Sequence, residues 1–91
     1  MKYDKAELLM LLDSATIKAL LRLYGLGYKS IAVRFGVTRP AINYMLRHDS
    51  FKDYQRQILL DLFFQLGMEA TELILINKMI NTTGRCKHET Y

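Results

Sequence analysis

A chain of 91 residues, 51% apolar and carrying a net charge of +4, has room for one domain, near the lower size at which a hydrophobic core suffices without metal or disulfides. Its single cysteine, Cys86, excludes an internal disulfide and points to a reducing, cytoplasmic setting. The apolar run at residues 8–12, flanked by Glu7 and Asp13, is too short for a signal peptide or a membrane span, which needs about 20 apolar residues.

Leu8, Leu9, Leu11 and Leu12 suit a first helix opened near Asp4. Asp13 and Ser14 can cap a second, whose buried residues are Ile17, Leu20, Leu21 and Tyr24. One helix over residues 4–24 is the alternative. The break is preferred because Asp13, Ser14 and Thr16 bunch together, and such side chains favour caps over helix interiors. Gly25 and Gly27 end this helix and turn the chain.

Residues 28–47 read as two short helices hinged at a glycine. Ile31, Ala32 and Phe35 form one apolar stripe, and Ile42, Met45 and Leu46 the other. Ala32 is the small residue that lets the helices cross closely. Gly36 suits the position past a helix end where φ is positive, and Val37 plugs the gap beside it. The Thr38 hydroxyl can cap the second helix, with Pro40 tolerated in its first turn. A residue before proline avoids the helical region, so Arg39 is the competing cap.

Ser50 with Asp53 resembles a capping box for the next helix, to about residue 66. That helix is apolar on more than one face. Leu60 and Phe64 point away from the side of Leu59, Leu62, Phe63 and Leu66, so either a later segment or a partner subunit must cover them. In residues 72–80, Leu73, Ile76 and Ile80 share a helical face, although the β-branched run also suits a strand. Helix is preferred. Residues 81–91 are expected as a flexible polar tail, which leaves residues 1–80 as the domain.

The small residue, the glycine four positions later and the apolar residues at 37, 42 and 45 resemble the phage repressor-like helix-turn-helix proteins. The small Ner-like regulators of transposable phages are the closest in look, over residues 17–66, where a leading helix, the bihelical unit and a helix ending in Leu66-Gly67 follow one another. The linker at residues 47–50 and everything past Gly67 depart from that pattern. The resemblance implies an all-α, compact bundle of about five helices containing a helix-turn-helix, and a DNA-binding regulator of a prokaryotic cell or phage-infected host.

Charge agrees with that expectation. Between Asp13 and Asp49 there is no acidic residue, while Lys18, Arg22, Lys29, Arg34, Arg39 and Arg47 all fall there. Residues 49–72 hold five acids against two bases. A basic half carrying the motif and an acidic half behind it fit one face made for polyanions. The helix beginning near Arg39 would enter the major groove with its N-terminal end nearest the bases. Arg39 is the candidate for guanine and Asn43 for adenine, with Tyr44 and Pro40 beside them. Lys29, Arg34, Thr38 and Arg47 suit phosphates. A homodimer would use Leu60, Phe64, Leu73, Ile76 and Ile80.

No glycine-rich phosphate loop, catalytic carboxylate pair or nucleophile elbow is present, so no enzyme and no cofactor is expected. Cys86, His88 and Glu89 do not make a four-ligand metal site, and Asn81-Thr82-Thr83 lacks the secretory context of a glycosylation acceptor. His48 is expected to cap the second motif helix, where a cation suits the negative dipole end. The rivals are a protein-binding module, such as an antitoxin or adaptor working through the apolar C-terminal half, and an RNA binder, which would show stacking aromatics.

Overall fold

Cap chemistry divides the chain. In the structure, a computed structural model that describes residues 4–89 with side chains through Asn81, Asp4 accepts the Ala6 N–H at 3.3 Å and opens α1, Lys5–Met10. Asp13 accepts the Thr16 N–H at 2.8 Å and opens α2, Ser14–Leu23. The expected break is therefore present, and its cause is the pull of Asp13 on the free N–H groups of α2. Gly25 and Leu26 reverse the chain, the Leu26 N–H reaching back to Leu21 O at 2.8 Å.

Helix α3, Tyr28–Phe35, starts after Gly27 with no side chain capping it. It ends at Gly36, whose φ of 69° lets the Val37 N–H bond Ala32 O at 3.0 Å. Helix α4, Arg39–His48, follows directly, with Thr38 rather than Arg39 as its cap and Arg39-Pro40 as its first two residues. Helices α5, Asp53–Gln65, and α6, Ala70–Glu89, complete a compact all-α bundle of six helices, with no strand among the described residues. The count exceeds the expected five or so.

Three expectations need correction. The cap of α5 is not the Ser50–Asp53 pair: the Lys52 N–H donates to Gln55 Oε1 at 2.9 Å, and the helix begins at Asp53. Phe51 causes the shift, because it is buried with its ring edge-on to Phe35 at 6.3 Å, which holds residues 50–52 out of the helix. Residues 72–80 are helix, as expected, but Thr71 lies inside α6 rather than capping it. The backbone of α6 also runs on to Glu89 where a tail was expected from residue 81, and Thr90 and Tyr91 lie outside the described residues.

One core joins all six helices. Leu8 and Leu12, Ile17, Leu20 and Leu21, Ile31 and Ala32, Ile42, Leu59, Leu60, Leu62 and Phe63, and Leu73 are buried together. Helix α3 packs on α4, α2 on α4 and α6, and α1 on α5 and α6. On the second apolar face of α5, Leu60 is thus covered from within the chain, while Phe64 stays partly exposed.

Polar ties reinforce this packing. The half-buried Asn77 of α6 donates through Nδ2 to Leu11 O at 2.9 Å and to the fully buried Thr16 hydroxyl at 3.2 Å. The Tyr24 hydroxyl donates to the Glu72 carboxylate, and its ring leans on Phe63. That hydrogen bond, helped by burial and by the charges of Glu72 and Glu69, pushes the Tyr24 pKa up to about 12.

Candidate nucleic-acid interface

The α3–α4 pair sets the geometry. Ile31 and Ala32 of α3 and Ile42 of α4 are buried against each other and the core, with Phe35, Met45 and Leu46 half-buried around them. The alanine at the crossing keeps the helices close. Thr38 Oγ1 accepts the Ala41 N–H at 3.3 Å, satisfying one of the four N–H groups that any helix leaves free at its start. Val37 departs from its expected part. It is 37% exposed, because the turn is already closed by its own N–H on Ala32 O.

With one side of α4 buried, its opposite side is fixed. Arg39, Pro40, Asn43, Tyr44 and Arg47 are all exposed, as are Lys29 and Arg34 on α3 and Thr38 in the turn. Neither ion pair among the described residues, Lys5–Asp61 or Arg56–Asp53, involves any of these cations.

The predicted residues do not all converge. Arg39, Pro40 and Asn43 border one shallow depression together with Tyr28 of α3. Arg39 also walls a second hollow, between α2 and α3, with Lys18, Arg22, Gly27 and Tyr28. The sequence places Lys18 and Arg22 in the acid-free interval without giving them a role, and marks Tyr28 only as a helix start. The signal for the two cations is their spacing, since positions four apart on α2 lie on one face. Lys29, Arg34, Thr38 and Arg47 stand outside both hollows. Tyr44, 60% exposed, lies against the His48 ring with centroids 4.2 Å apart. His48 is the last residue of α4, where it was expected.

The expected dimer surface is corrected in two places. Leu60 and Leu73 are fully buried in the chain's own core, so neither side chain is free to meet a second molecule. Phe64 is partly exposed, and Ile76 and Ile80 are half-buried. The exposed apolar surface of α6 lies instead at Leu75 and Met79, which share a hollow with Leu23 of α2, Glu69, Glu72 and Ile76. Leu73, Ile74 and Ile76 form the stripe that α6 packs on the core, and Ile80 lies beyond it.

Among the described residues there is no cluster of three His, Cys, Asp or Glu side chains able to hold a metal ion, and the side chains of Cys86, His88 and Glu89 lie outside them. No described helix is long and apolar enough to cross a membrane. No family model, curated protein or solved structure matches the chain.

Proposed function

We propose that α3 and α4 form a helix-turn-helix and that the chain is a sequence-specific double-stranded DNA-binding regulator, a repressor of phage or mobile-element type acting in the cytoplasm of its host. One observation carries this reading. The outward side of α4 presents Arg39, Asn43, Tyr44 and Arg47, outside both ion pairs formed among the described residues, on a helix whose other side is anchored in the core. A helix held this way can enter a major groove as a rigid body.

Arg39 and Asn43, beside Pro40 on the first turns, are the base readers of this proposal. Each good two-pronged contact is worth about 1–3 kcal/mol of discrimination. Lys29, Arg34, Thr38 and Arg47 flank them for phosphates, and Lys18 and Arg22 extend that basic border along α2. The active species is a homodimer joined through the exposed face of Leu23, Leu75 and Met79 with Phe64 at its edge, reading an inverted repeat whose half-sites lie about 34 Å apart.

Selection from a random double-stranded pool at about 150 mM salt, the physiological range, tests the proposal. Enrichment of an inverted repeat is expected, with Arg39→Ala flattening the preference at one base pair per half-site. Each phosphate contact removed should lower the slope of log affinity against log salt by about 0.9. Enrichment of no sequence, with weak binding that vanishes as salt rises, refutes the reading and favours a protein-binding module built on the apolar face of α6.

A further inference from the structure

Four helices of this fold close in the same way, with a residue at positive φ followed by an N–H that reaches back five residues. The closing residues are Gly25, Gly36, Asp49 and Gly67. Glycine is expected at such a position because a Cβ is strained there. Asp49, with φ of 49°, is the exception and the single non-glycine residue with positive φ among the described residues. Its side chain supplies the reason. Asp49 Oδ1 accepts the Ser14 N–H at 3.0 Å and the Ser14 hydroxyl at 2.8 Å, across 35 positions of sequence, and the Ser14 hydroxyl also lies 3.4 Å from Met45 O.

Ser14 opens α2, so its N–H is one that no residue within that helix can satisfy. The two acids that bound the acid-free interval, Asp13 and Asp49, therefore meet at one helix start: Asp13 takes the Thr16 N–H and Asp49 takes that of Ser14. The carboxylate nearest the basic motif is spent on the Ser14 N–H, the Ser14 hydroxyl and the positive end of α2.

We infer that the Ser14–Asp49 pair is a positioning latch, which fixes the C-terminal end of α4 on the start of α2 and thereby sets the tilt at which α4 presents Arg39 and Asn43. The inference rests on the reading of α4 as the DNA-contacting helix, and neither latch residue touches DNA. Ile42 is the one α4 residue buried outright and serves as the pivot, with Met45 and Leu46 only half-buried on the Asp49 side. At a rise of about 1.5 Å per residue Arg39 lies about 4.5 Å from Ile42, so a tilt of about 10° about that pivot moves the Arg39 end by about 0.8 Å. Contacts of this kind tolerate displacements of only about 0.5 Å.

Three variants of the full chain separate the possibilities. Asp49→Asn keeps a side-chain oxygen and suits the left-handed region, Asp49→Gly keeps the backbone and loses the acceptor, and Ser14→Ala loses the hydroxyl. Amide hydrogen exchange comes first. Residues 46–50 should exchange about fivefold faster in Asp49→Gly, the ordinary worth of a helix cap, less so in Ser14→Ala, and as the parent in Asp49→Asn. Equal exchange in all four proteins overturns the latch.

The second readout is the ratio of affinity for selected over random DNA. It should fall about fivefold in Asp49→Gly and be restored in Asp49→Asn, with the salt slope unchanged because no phosphate contact is lost. If both variants instead bind selected and random DNA more tightly by the same factor, Asp49 is only a repelling charge and the positioning role is refuted. A parent protein that prefers no sequence, yet shows the exchange pattern, keeps the latch and overturns the DNA reading.

Discussion

Leu73→Ala separates the inward and outward stripes of α6. Leu73 is fully buried in the core that joins all six helices, on a helix that packs against α1 and α2. Truncating such a leucine removes its transfer free energy and leaves a cavity, together about 2–5 kcal/mol. The upper half of that range is expected, since helices on several sides limit how far the site can collapse. A domain of this size has about 5–15 kcal/mol in all, so roughly a quarter or more of the stability is at stake. With a urea slope of about 1–3 kcal/mol per molar, the unfolding midpoint should fall by about 1–5 M. Leu75, two positions on and 60% exposed, is the control at the low protein concentration, where no dimer forms, and there its alanine variant should stay within about 0.5 kcal/mol of the parent. Urea titration by circular dichroism at low protein concentration, repeated tenfold higher, reads both. A Leu73→Ala protein with an unchanged midpoint and a weakened concentration dependence would place Leu73 in an intermolecular contact and refute its burial within a single chain.

Two further outcomes follow from the caps and ties. Tyr24, with its pKa pushed up to about 12 by its hydrogen bond to Glu72, holds its proton more tightly folded than unfolded. Its stabilisation is complete below pH 10 and is lost as pH rises through 12, so the stability difference between parent and Tyr24→Phe should shrink across that window in a pH series of urea melts. A constant difference would show that the hydroxyl does not favour its protonated form in the fold. At Gly36 a new Cβ meets nothing within 4 Å, but φ is 69°. Gly36→Ala should therefore cost about 1–2 kcal/mol through backbone strain alone, whereas Gly27→Ala, at φ of −83° and equally open, should melt near the parent temperature.

Local chemistry was legible where a residue acts on its own neighbours in sequence. Asp13 and Thr38 announce their helices because a short polar side chain meets free N–H groups two or three residues on, and Gly36 announces its turn because φ is positive there. The exposed side of α4 followed from the periodicity of Ile42, Met45 and Leu46. Tertiary competition hid the rest. Ser50 and Asp53 make a plausible box, yet burial of Phe51 displaces the helix start to Lys52 and Gln55. Helix α6 carries two apolar stripes, and periodicity alone does not say which one docks. Leu73 decides it by fitting the core, and Asn77 by finding Leu11 O and Thr16. Asp49 read as the edge of an acidic region, since its partner Ser14 lies 35 positions away.

The tie from Asn77 to Leu11 and Thr16 also orders events in time. The joint between the first two helices has its carbonyl and its buried hydroxyl satisfied by a residue 66 and 61 positions downstream. Until that asparagine and Leu73 have been translated, an emerging chain has an open seam beside Leu12, Thr16 and Ile17. Local helices can form early, but the core closes late, because contacts this distant in sequence must wait for both partners and for loop closure. A nascent chain stalled before residue 73 should therefore be sensitive to protease across its N-terminal half.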